Sequence, residues 1–227
     1  MSKNTTENTD TIVDVQEVYS KTEDFIEKNK QILTIVILGA IVIIGGYFGY
    51  KKLIIAPMEF EAQADMFMAE KYFEQDSLQK AINGDGLNYG FIDIIDEYSG
   101  TKTANLAHYY LGICYRNTGE YEYAIEELQR FSSDDIMIST IALGAIGDSY
   151  MELNDIDEAI NYYEKAVVNG DNKLTSPIYL FKAGVAYEDK QDFATAEIKY
   201  KTIKTDYPDS REAQTIDKYI ARVESLK

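Results

Sequence analysis

The chain of 227 residues has one histidine and one cysteine, so the side chains that most often move protons, attack carbonyls or hold transition metals occur once each. His108 precedes two tyrosines, with no acid or serine at a spacing that would set it up as a general base. Cys114 sits in a helix-forming run and reads as a small core residue rather than a nucleophile. A His/Cys metal cluster and an intrachain disulfide each require more such residues than the chain has. The glycines of NGDGLNYG, residues 83–90, follow no strand and lack the Lys-Ser/Thr of a phosphate loop. Catalysis is therefore disfavoured, and no cofactor or metal is expected.

The chemistry that the residues do offer is adhesive. Leu106, Tyr109, Ile113 and Arg116 share one helical face; Ile141, Gly144, Asp148 and Met151 repeat the spacing, and Ile178, Phe181, Val185 and Glu188 repeat it again. A groove open to water should be polar, so a face this rich in Leu, Tyr, Ile, Met, Phe and Val needs a cover. Two covers are available: a bound peptide or partner helix, or segments of the chain itself. In the first case a few large side chains would dominate the affinity.

Those faces must be held by helices, and the helices recur. LGICYRNTGEYEYAIEELQRF, residues 111–131, contains Gly112, Tyr115, Ala124, Leu128 and Phe131. The same intervals return as Gly147, Tyr150, Ala159, Tyr163 and Ala166, then as Gly184, Tyr187, Ala196, Tyr200 and Ile203, at pitches of 35 and 37 residues. Each pass combines two amphipathic helices with a polar turn between them, Asn117–Gly119, Asn154–Asp155 and Gln191–Asp192. The small residues let antiparallel helices approach closely. This pattern, ending in Pro208, resembles the tetratricopeptide repeat, a helical hairpin of about 34 residues. A damaged copy comes first: Ala69, Tyr72 and Ala81 match its front, Phe91, Ile94 and Tyr98 its end, and NGDGLNYG breaks its second helix. After the last copy, Ser210 is expected to cap a terminal helix whose stripe of Ala213, Ile216, Ile220, Val223 and Leu226 closes the stack. The lysine and asparagine cluster with which some such domains clamp a C-terminal carboxylate is missing, since Tyr109 and Ile113 occupy its positions.

In front of the repeats, ILTIVILGAIVIIGGYFGY, residues 32–50, has no charge and would extend about 28 Å as a helix, close to the ~30 Å of a hydrocarbon core. Lys28, Lys30, Lys51 and Lys52 flank it. Gly39, Gly45, Gly46 and Gly49 give it a smooth patch on which another membrane helix could pack. Ahead of it lie a small polar stretch, residues 1–11, expected to be disordered, and a stripe of Val15, Val18, Thr22 and Phe25 suited to a short amphipathic helix. The net charge of −17 is concentrated in residues 59–227, which carry −16; nucleic acid would be repelled by such a domain. Near-equal lysine numbers on the two flanks leave orientation open, and a short leading segment before an acidic domain favours the N-terminus inside and the repeats outside.

This order of parts over residues 21–227 resembles the YfgM family of bacterial inner-membrane proteins. The resemblance implies an ancillary subunit of the SecYEG translocon, working with a periplasmic chaperone of the PpiD type. An all-α architecture is expected: a segment at 1–30 facing the cytoplasm, an anchor at 31–52, a linker helix and degenerate repeat at 53–104, three repeats at 105–208 and a capping helix at 209–227. A scaffold for envelope assembly or cell division, and an anchor that forms homo-oligomers through its span, are the competing readings.

Overall fold

A computed structural model describes residues 15–227. The stretch 1–11 lies outside the described residues, as do the side chains of Val15, Val18 and Thr22. The chain divides into two units at Ile54/Ile55. The first is built on α1 (Val15–Tyr50), which contains the apolar run; among the described residues there is one helix long and apolar enough to cross a membrane. Ile35, Val42, Ile43 and Phe48 on α1 are all exposed, and a side chain added at Gly39, Gly45, Gly46 or Gly49 would meet no atom. A π-helical turn, Lys51–Ile55, follows.

The second unit is a run of helical hairpins: α2 (Ala56–Glu74), α3 (Leu78–Asn83), α4 (Phe91–Glu97), α5 (Lys102–Thr118), α6 (Tyr121–Arg130), α7 (Ile136–Glu152), α8 (Ile156–Asn169), α9 (Ser176–Asp189), α10 (Phe193–Asp206) and α11 (Ile216–Glu224). From α4 onward each packs mainly on its neighbours in sequence, as in a solenoid whose repeats touch only adjacent repeats. Every first-to-second-helix turn contains one left-handed residue: Asp76 (φ 57°), Gly119 (87°), Asn154 (60°) and Gln191 (61°). At the last two turns an aspartate follows at once and caps the next helix, Asp155 accepting from the Glu158 amide and Asp192 from the Thr195 amide.

The repeating glycine has a specific task. A Cβ on Gly147 would stand 2.6 Å from the Tyr163 ring, and on Gly184 it would stand 2.4 Å from the Tyr200 ring; Gly112 faces Leu128 in the same way. The second helix of each hairpin thus lays its large residue across a bare patch of the first. Tyr200 is fully buried and Tyr163 nearly so. In the first hairpin the second helix is split into α3 and α4. Asp85 knots the connection, accepting from the Leu87 and Asn88 amides at 2.9 and 2.8 Å and from the Tyr72 hydroxyl at 2.6 Å. The tyrosine hydrogen bond and those amides hold its carboxyl well below the usual carboxylate range.

At the far end the helix begins later than its cap residue suggests. Ser210 Oγ accepts from the Ala213 amide at 3.1 Å, but the turn that it starts is a 3-10 turn, Ala213–Thr215, and α11 follows from Ile216. Ile216, Ile220 and Val223 are buried against Tyr200 and Ile203. Leu226 lies beyond the last turn and is half exposed, which removes it from the expected stripe.

Candidate functional site

The first helices of the hairpins, α5, α7 and α9, together with residues of α6 and α8, line a cavity of about 460 Å³. Its walls bring together Arg116, Asp148, Met151, Phe181 and Val185, all expected from the helical stripes, and add Tyr121, Glu152, Tyr163 and Lys182. Asp148 is the hub. One of its oxygens accepts from Lys182 Nζ at 2.5 Å and from the Tyr163 hydroxyl at 2.9 Å, while the other faces Arg116 Nη1 at 3.3 Å. Two cations share this one carboxylate, so each keeps N–H donors free of it, on side chains 29% and 35% exposed. Burial, then the charge of Asp148 and its hydrogen bond, raise the Tyr163 phenol far above its ordinary value, so it stays a neutral donor. Tyr179 is pushed up to about 12 by burial and by the same aspartate. Its ring fills the notch left by Gly144, where a Cβ would lie 1.9 Å away. Chemically, the cavity offers apolar side chains beside two partly screened cations.

The remaining stripe residues are distributed along the stack. Leu106 borders a second cavity of about 380 Å³ with Glu59, Met66 and Glu70. Tyr109 is half-buried, its ring 5.3 Å from Phe131. Ile141 and Ile178 are half-buried too, the latter packed on the Tyr163 core. Ile113 requires a correction: it is buried with Ile125, Leu128 and Ile146, because its position beside Gly112 faces the next hairpin rather than the groove. Phe181 is covered on one side by α11, its ring meeting Tyr219 edge to face at 4.8 Å. Glu188 accepts from Tyr200 at 2.5 Å and from Arg222 at 2.6 Å. The chain's own terminal helix thus occupies the last stretch of the face, while the cavity around Asp148 is open.

Lys182 stands on the line of Ile178 and Val185, four residues after the one and three before the other, but the expected stripe takes Phe181 at that turn. A signal was present: Lys182 and Asp148 are 34 residues apart and Arg116 and Asp148 are 32 apart, opposite charges at nearly the repeat pitch. The single histidine and the single cysteine lie away from this cavity. His108 meets Glu127 at 2.6 Å, and burial pushes the Cys114 thiol up to about 12. Among the described residues no group of His, Cys, Asp and Glu is placed to hold a metal ion.

Two family models described as tetratricopeptide repeat match the chain, one over residues 106–134 and one over 145–211. Among solved structures, the chain is similar to a Podosopora anserina protein described as a putative kinesin light chain with nearly identical TPR-like repeats. The TM-score is 0.54 at 13% identity, over 73% of this chain and 86% of that one. A singly substituted form of that protein aligns equally well, at 14% identity. At this identity the likeness is one of fold. A comparison with curated proteins returned no match. The chain therefore carries tetratricopeptide repeats in an all-helical solenoid, the architecture of a protein–protein interaction module.

Proposed function

We propose that this chain is a membrane-anchored adaptor that holds a protein partner in the cavity around Asp148. The observation that carries the reading is the cavity itself: Met151, Phe181 and Val185 give it apolar surface, and Arg116 and Lys182 have donors left over after pairing with Asp148. Burial of apolar side chains there would contribute roughly 25 cal/mol per Å², and the cations would set register by accepting only a partner with carbonyl or carboxylate groups opposite them. The uncharged run of α1 supports anchoring, with the N-terminus in the cytoplasm and the repeats outside the inner membrane. The resemblance to the YfgM family supports a finer role, an ancillary subunit of SecYEG beside a PpiD-type chaperone, handling exported proteins.

The test is site-specific photo-crosslinking in the full-length chain in membranes. A crosslinker at Val185 is expected to capture translocon or PpiD-type subunits, and one at Val168, which is 80% exposed and does not line the cavity, is expected to capture neither. Equal yields from both positions, or products containing only this chain, would overturn the reading.

A further inference from the structure

We propose that the outer face of α2 is a second docking surface, and that its occupant is an amphipathic helix of another protein with lysine and arginine along the flanks of its apolar stripe. The face is defined by helical period. Ala62, Met66 and Ala69 are the buried side of α2, and they pack into the first hairpin. Half a turn away stand Phe60 and Phe67, two turns apart, with Ala64 between them. Phe60 is 77% exposed and Phe67 61%, so two large rings on the first helix of the stack have no cover in the unit to which they belong. A lone exposed apolar residue needs no explanation, but two rings in register on one stripe make a face.

Charge selects the occupant. Glu61 borders the stripe on one side, and Glu70 and Glu74 border it on the other, with Lys71 as the one cation at its end. Among the described residues none of these three glutamates has an ion-pair partner. Burial and then the charge of Glu74 raise the pKa of Glu70, the behaviour of neighbouring carboxylates that lack a cation. A second copy of the chain would set glutamates against glutamates, between domains that each carry −16. Like charges on the flanks of helix pairs exclude a partner, and opposite charges select one. The complementary surface is therefore apolar at the centre and basic at the edges. A helix of that kind would stack on α2 as each helix of the solenoid stacks on the one before.

The probe is a fluorescein-labelled synthetic helix of about 21 residues with leucine along one stripe and lysine on both flanks. Its binding to the full-length chain in phosphatidylcholine nanodiscs is read by polarisation. The Phe60→Gln/Phe67→Gln variant is expected to lose at least tenfold in affinity, and a peptide with glutamate on its flanks is expected to bind wild type at least tenfold more weakly. A charge exchange that leaves the rings in place, Glu61→Lys with Glu74→Lys, should reverse the preference between the two peptides. Unchanged affinity in the Phe60→Gln/Phe67→Gln variant would mean that charge alone attracts the peptide, and it would overturn the proposal. So would disulfide crosslinking between copies through Phe67→Cys, which would seat a second chain on this face. Quenching by lipid-borne quenchers of a fluorophore on Phe67→Cys before peptide is added would give the face to lipid and likewise overturn it.

Discussion

At the C-terminal end of the repeats, α11 lays Ile216, Ile220 and Val223 into the last hairpin and turns Lys218, Ala221 and Ser225 toward water. At the N-terminal end, α2 buries Ala62, Met66 and Ala69 and turns Phe60 and Phe67 outward. Both are terminal helices with one buried stripe, but only one has a polar outer surface. A solenoid must end somewhere, and each end that lacks such a surface leaves a template for further stacking. The difference shows that being first or last in the stack does not by itself decide what a helix presents to solvent; the residues opposite the buried stripe decide it.

The largest effect expected from this comparison comes from placing the same charge at both ends. Val223→Asp would bury a carboxylate with no partner and is expected to cost about 3 kcal/mol or more, whereas Phe67→Asp should stay within about 0.5 kcal/mol of wild type because its site is exposed. Chemical unfolding of the full-length chain in detergent micelles checks both. Similar losses from the two variants would mean that α2 is covered within the folded chain.

A smaller contrast separates the hairpins. Gly184→Ala would drive a methyl group into the Tyr200 ring, 2.4 Å away and fully buried, with an expected loss of about 1–3 kcal/mol. The first hairpin already has alanine at the matching position, Ala69, fully buried, so the backbone there accommodates a methyl group. The reverse change, Ala69→Gly, should therefore cost only about 1 kcal/mol, from helix propensity. A melting curve for each variant measures the gap, and a gap of zero would show that the Tyr200 ring can retreat.

The smallest effect concerns the turns. Gln191 holds φ at 61° with a side chain unsuited to the left-handed region, and Asp76 holds 57° with one that tolerates it better. Gln191→Gly is expected to stabilise by about 0.5–1 kcal/mol and Asp76→Gly by less. Denaturant midpoints at unchanged slope would register the order.

The hairpins were legible because Gly, Tyr and Ala recur at intervals that only a pair of packed helices requires, and the matched residues 106–134 and 145–211 fall on that pattern. Ala69 and Tyr72 fall on α2 and Ala81 on α3, and the expected break at 83–90 separates α3 from α4. Much of the cavity was legible too: Arg116, Asp148, Met151, Phe181 and Val185 all reach it. What escaped shares one cause. A helical stripe reports which way a side chain faces on its own helix but not what the next hairpin brings against it. Ile113, expected in the groove, is core; Lys182, not among the expected residues, pairs with Asp148; and Phe181, expected in the groove, also meets Tyr219. The late start of α11 has a different origin, since a serine hydroxyl caps a 3-10 turn by the same hydrogen bond with which it caps an α-helix.

Tyr163 and Tyr200 lie across Gly147 and Gly184 from the second layer of helices, yet their hydroxyls emerge beside Asp148 and Glu188 on the first. The polar face of the first helices is in this sense written from behind. A tyrosine-to-phenylalanine change at Tyr163 would remove only the hydroxyl and leave the packing of the ring intact, but it would free a lone pair on Asp148, which lines the cavity. A change on the second layer of helices would then retune the polarity of a cavity whose walls belong mostly to the first.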